Sequence, residues 1–471
     1  MAVWGLPKVM AIKSEDFKEK GYIYRKDEDG SVALGEESVF STRARIEVEQ
    51  SKIDSKYVHL RFSYSNRYMQ RTVPWSYAIA AVGRTPQEDT SDPFCTLFEP
   101  IRVGVGLGNN EFYFIHVQSG GRLVVDSTSF VFYVDITGSS SLQGHLRPVD
   151  LDSLARLPVR ANVAFIGSTA HYIKAYLMGN VNHFQLSSNV PHDAYSRHQV
   201  SQMPDGHVQL TSIYWNTLWR SSGLWIIGDS NDQTDPDTLF MPFKINATTI
   251  ALRASNDNFC DRRLFKDMFF NCITPLSPSP TALAQFQVEE LVILSRVGNV
   301  RYQIEYARVI DEEPYSGWSS TVVNDGEVDL DFAVSFTYQD LKEYTFARSF
   351  SLETGVPTVI DAALPFVAKD ASVDEAASRI NAHLQWNATN TMTTMVTVRG
   401  SVQVPAKSSV VASYVGKRAT CNVPFYYTET DTINNLSPTP NSVAVSEGVD
   451  GLYTATNCYD FELVVEKTQA L

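Results

Sequence analysis

Three phrases occur twice in this chain, in the same order. Tyr57-Val-His-Leu60 returns as His207-Val-Gln-Leu210, Phe62-Ser-Tyr-Ser-Asn66 as Ser212-Ile-Tyr-Trp-Asn216, and Thr96-Leu-Phe-Glu-Pro100 as Thr238-Leu-Phe-Met-Pro242. The offset is 150 residues for the first two and 142 for the third. Self-similarity held in order at a near-constant offset is the mark of a duplicated domain. The boundary falls near 150–158.

Each copy divides again into three. The shared unit is an apolar strand, a polar turn and an aromatic-rich strand. It begins near Val9, Tyr57 and Phe112 in the first copy and near Ala161, His207 and Thr248 in the second. Three lobes of roughly 50 residues each predict a β-trefoil, a threefold barrel of short strands and turns. Tyr64, Tyr68, Tyr214, Trp219 and Trp225 are expected to pack between lobes.

From about Val297 the pattern changes to long alternation. Val328, Leu330, Phe332, Val334, Phe336 and Tyr338 share a face, and Tyr344, Phe346, Arg348, Phe350 and Leu352 continue it. Asn324-Asp-Gly326 reads as a hairpin turn. Met392, Thr394, Val396, Val398, Gly400, Val402 and Val404 form another alternating face, Pro405 breaks it, and a last strand is expected over 410–415. Trefoils do not use strands of this length, so the fold class is all-β with two tandem trefoils and an elongated antiparallel β-module.

The sharpest pattern in that module is an amphipathic hairpin. Val356, Thr358, Ile360, Ala362, Leu364, Phe366 and Ala368 share an apolar face. After a polar tip over 369–379, Ile380, Ala382, Leu384, Trp386 and Ala388 share another, with Asn381, His383, Gln385 and Asn387 opposite. Two readings stand. One is an ordinary half-buried surface hairpin. The other is a membrane hairpin, since about 9–11 such residues per strand span a bilayer once strands close into a barrel. Pro357 and Pro365 each remove a ladder donor, and Lys369, Asp370, Asp374 and Glu375 at the tip are costly to carry through lipid.

Composition narrows the function classes. A net charge of −14 and a pI near 5.1 argue against nucleic acid as a partner. The start lacks a basic n-region and a long apolar h-region, so no signal peptide is read and a cytoplasmic location is expected. Five cysteines (Cys95, Cys260, Cys272, Cys421 and Cys458) suit a reducing compartment without a disulfide framework. Cys421 and Cys458 are read as a reduced, buried pair, a disulfide between them requiring an oxidising compartment. The sequons at Asn246, Asn387 and Asn435 are then expected to be unused. The glycines of VGVGLGN (103–109) precede no helix and read as a loop. No histidine pair has helical metal spacing and no Gly-x-Ser-x-Gly elbow occurs, so no enzyme activity, metal or other cofactor is expected.

The wording of the lobes carries a resemblance. LPKVMAIKS (6–14), ARIEVEQSK (44–52), YSNRYMQR (64–71) and CTLFEPI (95–101) resemble the first domain of the amaranthin-type plant lectins. WNTLWRSSGLWIIGDSND (215–232) and FNCITP (270–275) resemble the second. The resemblance implies trefoil domains over 1–150 and 155–297 that bind galactose/N-acetylgalactosamine glycans of the T-antigen type, often across a subunit interface. After Arg71 the family shows a tryptophan, an asparagine-containing loop and a second tryptophan; here Thr72, Trp75 and Ala78 stand at those places. A sugar site needs an aromatic plate and polar groups to fix hydroxyls. Trp75, Ser76 and Tyr77 supply these in a new arrangement, with Tyr64 and Asn66 in the first repeat and Asn216 and Trp225 in the second as further candidates.

NDGE (324–327), SVQVPAKS (401–408), TCNVPFYYT (420–428) and NCYDFELVVEKT (457–468) resemble the pore-forming module of aerolysin-type toxins, as some plant lectins carry it behind amaranthin domains. The resemblance covers 299–471 and implies a homo-oligomeric ring in which each subunit contributes a hairpin to a transmembrane β-barrel. Val356, Ile360, Leu364, Phe366, Ile380, Leu384 and Trp386 would face lipid, and the opposite row the lumen. The expected function is a glycan-binding, pore-forming defence lectin that reaches the membrane on assembly. The alternative is a soluble cytoplasmic stress or storage lectin without pore activity.

Overall fold

A computed structural model of the chain describes residues 5–103, 110–138, 144–159, 161–191, 193–264, 266–348, 352–374, 378–435 and 441–471. The glycine stretch from 104, Phe350 and Glu375 therefore lie outside the described residues. No helix among the described residues is long and apolar enough to cross a membrane.

In the first repeat, Val9–Ser14, Ile46–Gln50, Val58–Phe62, Leu97–Val103, Glu111–His116 and Leu146–Asp150 pair in that order, and the last returns to the first. The ring is closed, which removes the free edges such short strands would otherwise expose. Three hairpins cap it: Tyr22–Arg25 with Val32–Gly35, Arg67–Arg71 with Ile79–Gly83, and Arg122–Val125 with Phe132–Asp135. The second repeat closes in the same way through Val163–Ile166, His198–Gln202, Val208–Ser212, Met241–Lys244, Thr249–Arg253 and Phe286–Glu290. Both are β-trefoils. The barrel also explains the repeated phrases: Val58 faces Phe98 across the ladder, and Val208 faces Phe240. The first and third phrases are the two halves of one strand pair, and the second is the turn that follows the first strand.

The interiors are aromatic. Phe62, Phe98, Phe112, Phe114 and Phe132 fill the first core, and Phe165, Phe184, Trp219 and Phe240 the second. Tyr68 and Trp219 are buried as expected, whereas Tyr214 is 47% exposed and not a core residue. It sits on a surface turn that ends in Asn216, whose φ of 55° only a turn position tolerates.

Buried histidines give the trefoils a pH signature. His198 lies wholly inside the second barrel, where its Nδ1 accepts a hydrogen bond from Trp219 Nε1 at 3.2 Å, and burial lowers its pKa from the usual 6.5 to about 4. The unfolded chain takes up the proton first, so the contribution of a neutral His198 is complete above pH 6.5. It is lost as pH falls toward 4, by ~3 kcal/mol in all. Carboxylates held below their usual range, such as Asp126 by its bonds from Ser129, act only below about pH 4. The melting temperature is therefore expected to fall between pH 6.5 and 4.5. A flat profile there would remove His198 as a determinant.

The described residues of Arg296–Arg348, Pro357–Thr430 and Val445–Leu471 form a separate compact unit, and 352–356, 431–435 and 441–444 group with the trefoils. Its strands are long. Leu330–Arg348 pairs with Asn390–Val404 from Leu330 opposite Val404 to Tyr344 opposite Asn390, and Arg308–Asn324 pairs with Ser408–Ile433. The last-named strand runs 26 residues, far beyond the expected 410–415. The hairpin expected at Asn324-Asp-Gly326 is also corrected, because the two flanking strands pair with other partners. The reason is Asn324 itself. Its buried Nδ2 donates to the carbonyls of Val328, Val404 and Pro405 at 2.9, 2.9 and 3.1 Å, which carries the chain from one ribbon to the next. All five thiols are free, and burial pushes Cys421 up to about 11.

Candidate functional sites: an aromatic loop and an amphipathic hairpin

In the first trefoil the cap strands Arg67–Arg71 and Ile79–Gly83 are joined by the loop 72–78, closed by Thr72 N–H donating to the Ala78 carbonyl at 3.1 Å. One buried side chain fixes the loop. Arg71 Nε donates to the Ser76 carbonyl at 2.8 Å, its other nitrogens reach the Pro74 carbonyl and Gln118 Oε1, and the guanidinium lies 4.9 Å from the centre of the Tyr77 ring. The Ser76 hydroxyl accepts from Ala78 N–H at 3.1 Å, and the Tyr77 carbonyl accepts from Val134 N–H at 2.8 Å. Backbone and arginine thus satisfy the loop from below, and the indole of Trp75, 81% exposed, stands out from it. Trp75, Ser76 and Tyr77 lie on this one loop, an exposed indole followed by a half-buried hydroxyl and a partly exposed phenol.

The other first-repeat candidates do not join this surface. Asn66 is 1% exposed, has a φ of 48°, and its Oδ1 accepts from Arg61 at 2.6 Å. It turns the chain and accepts one hydrogen bond from a buried arginine whose charge is balanced by Glu47 and Glu49. Tyr64 is half-buried on the same turn. In the second repeat Trp225 stacks on Phe269 with ring centres 4.6 Å apart and packs edge-on against His183. It belongs to a cluster that joins lobes rather than to a free plate. Asn216 is exposed, and beside it in sequence Tyr214 stacks on Tyr195 at 3.9 Å. Their mutual hydrogen bond raises the Tyr195 pKa. Sequence reasoning missed Arg71 and Tyr195. Neither has a local signal, since each acts through residues that the fold brings to it.

The hairpin forms. Thr358–Ala363 pairs with Arg379–Leu384, from Thr358 opposite Leu384 to Ala363 opposite Arg379, and joins the sheet beside Val292–Tyr302. Three boundaries are corrected. Val356 precedes the ribbon, the first strand ends at Ala363 because Pro365 has no ladder donor, and the second ends at Leu384 because Asn387 turns at φ 63°. Ile360, Leu364 and Phe366 are buried in the core of this unit, with Ile380 and Leu384 half-buried against it. Trp386 follows the second strand and is buried too. The Arg348 guanidinium lies 4.4 Å from its ring centre, Tyr427 packs at 5.4 Å, and Arg348 in turn pairs with the buried Glu429. Asn381, His383 and Gln385 face solvent. No group of histidine, cysteine and acidic side chains among the described residues has metal-binding geometry.

The agglutinin domain family model matches residues 4–139. No curated protein matches the chain. Among solved structures it is similar to a lamprey immune protein, with 9% identity over 76% of this chain and 87% of that one at a TM-score of 0.29. It is also similar to parasporin-2, a Bacillus thuringiensis toxin that recognizes cancer cells, with 17% identity over 37% and 74% at 0.22. A third likeness is to an aerolysin-like protein of Bombina maxima, with 9% identity over 37% and 99% at 0.25. Residues 4–139, which hold nearly all of the first barrel, thus match the agglutinin domain model, ahead of a second trefoil and a long-stranded antiparallel β-module.

Proposed function

We propose that this chain is a lectin directed to galactose/N-acetylgalactosamine glycans that assembles on a glycosylated membrane and inserts the 358–384 hairpin into a shared β-barrel pore. The observation that carries the first half is Trp75, a fully presented indole on a loop held rigid by Arg71. A pyranose ring lays its C–H face on such a plate while hydroxyls find fixed polar groups. One such site per chain, multiplied by a ring, gives avidity without strong single contacts. The second half is supported by a ribbon with one apolar row, now turned to the core, and one polar row of Asn381, His383 and Gln385. Released into a barrel, these become lipid-facing and lumen-facing rows. The chain would await assembly in the cytoplasm, in a defence role. Binding of wild type and Trp75→Ala to a glycan array tests the lectin reading. No binding by wild type to any galactose or N-acetylgalactosamine glycan overturns it.

One observation favours the second reading, a soluble stress or storage lectin. The hairpin is stitched into the sheet, and its tip end is tied by Arg379 to Asp361 at 2.9 Å. A protein that bound glycans but never released dye from glycolipid vesicles would be of this kind.

A further inference from the structure

The tip of the hairpin is clamped from outside. Beyond Ala363 the chain folds back, Phe366–Val367 pairs with Val373–Asp374, and both residues of the first pair are buried. Asn457, 3% exposed and on the strand Ser442–Ala470, takes both backbone groups of Val367. Its Oδ1 accepts from the Val367 N–H at 2.9 Å, and its Nδ2 donates to the Val367 carbonyl at 2.8 Å. The same nitrogen donates to the Cys458 carbonyl at 3.0 Å. One side-chain amide here replaces the neighbouring strand that Pro365 denies to this segment. Two further ties flank it: Tyr302 OH donates to the Ala363 carbonyl at 2.5 Å, and the Asp460 carboxylate accepts from Asp370 N–H at 3.3 Å.

The clamped segment is strained. Asp370 and Ala371 have φ of 57° and 55°, so two successive non-glycine residues sit in the left-handed region. An alanine there brings its Cβ against the backbone and gains no side-chain hydrogen bond in return. Such strain persists only where the surroundings over-determine it. A buried clamp on one side and a strained turn on the other are the two parts of a sprung catch.

We infer that the Asn457 amide is the latch of the hairpin: it holds the strained 364–374 tip in the core of the soluble chain, and breaking its two bonds to Val367 is the step that frees the tip. This rests on the hairpin reading above and adds its regulation. Asparagine is required because the clamp needs a donor and an acceptor on one group. Aspartate at this position keeps the acceptor and loses the donor.

Hydrogen exchange of the peptide 364–374 in the full chain tests the latch, with the peptide 330–344 as control. Asn457→Ala is expected to speed exchange of the tip about tenfold or more while the control is unchanged. Ala371→Gly removes the left-handed cost and is expected to slow it about tenfold. These are opposite shifts from two positions, which a general loss of stability does not give. If Asn457→Ala does not fold, Ala371→Gly decides alone. Unchanged or faster tip exchange in Ala371→Gly, or unchanged exchange in a folded Asn457→Ala, overturns the latch. Dye release from glycolipid vesicles separates it from the pore reading. Exchange that shifts as stated without a matching shift in release leaves the latch standing and removes the pore.

Discussion

Trp75→Ala is expected to abolish glycan binding by the first trefoil while the melting temperature stays within about 2 °C of wild type. The two halves of this result come from one fact. Trp75 is 81% exposed, so its removal opens no cavity and leaves no buried group unpaired. The loop survives it, because Arg71 holds the carbonyls of Pro74 and Ser76 rather than the indole. Binding loses the whole aromatic plate. A central aromatic contact is worth about 2 kcal/mol or more, which is roughly a 30-fold loss of affinity, enough to empty an array spot. Undiminished binding in the variant would mean that sugar is held elsewhere, with the exposed Tyr195–Tyr214 stack the next place to look.

Trp219→Ala is expected to do the reverse. It should cost the second trefoil about 4 kcal/mol, enough to unfold a domain of ordinary stability, and calorimetry would read it as a large fall in the transition temperature. Trp219 is 0% exposed and stacks on Phe184 at 4.4 Å, with His198 edge-on at 5.0 Å. Removing it leaves a cavity among side chains held by three lobes, which cannot collapse without moving the barrel. It also strips His198 Nδ1 of its indole donor. Phenylalanine at 219 should restore most of the packing but not that hydrogen bond. A Trp219→Ala protein that melted within about 3 °C of wild type would show that the core is not the close-packed layer described.

These two tryptophans also mark how far sequence goes. The barrels were legible because trefoil strands pair with partners that were duplicated together, so Val58 with Phe98 and Val208 with Phe240 left similar phrases in the same order at offsets of 150 and 142 residues. The hairpin was legible because a strand repeats every two residues, and the alternation from Ile380 to Leu384 is uninterrupted. Its ends were not, since Pro365 and the left-handed Asn387 stop the ladder while apolar residues continue. Burial was legible for Trp219 and not for Tyr214, because both lie in the same aromatic-rich wording and only the turn at Asn216 sends one outward. Asn66 looked like a polar ligand and proved to be a turn residue bonded to Arg61. The residues that hold each site in place, Arg71 under the loop and Asn457 against Val367, act on backbone groups. Backbone partners leave no trace in side-chain pattern, so a single sequence does not announce them.

The most direct test of glycan-directed pore formation is dye release from vesicles with and without a glycolipid ending in galactose or N-acetylgalactosamine, for wild type and Trp75→Ala side by side. The account predicts release by wild type only from the glycolipid vesicles, and none from either kind with Trp75→Ala. Release that ignores the glycolipid, or no release by a wild type that binds the vesicles, would contradict it.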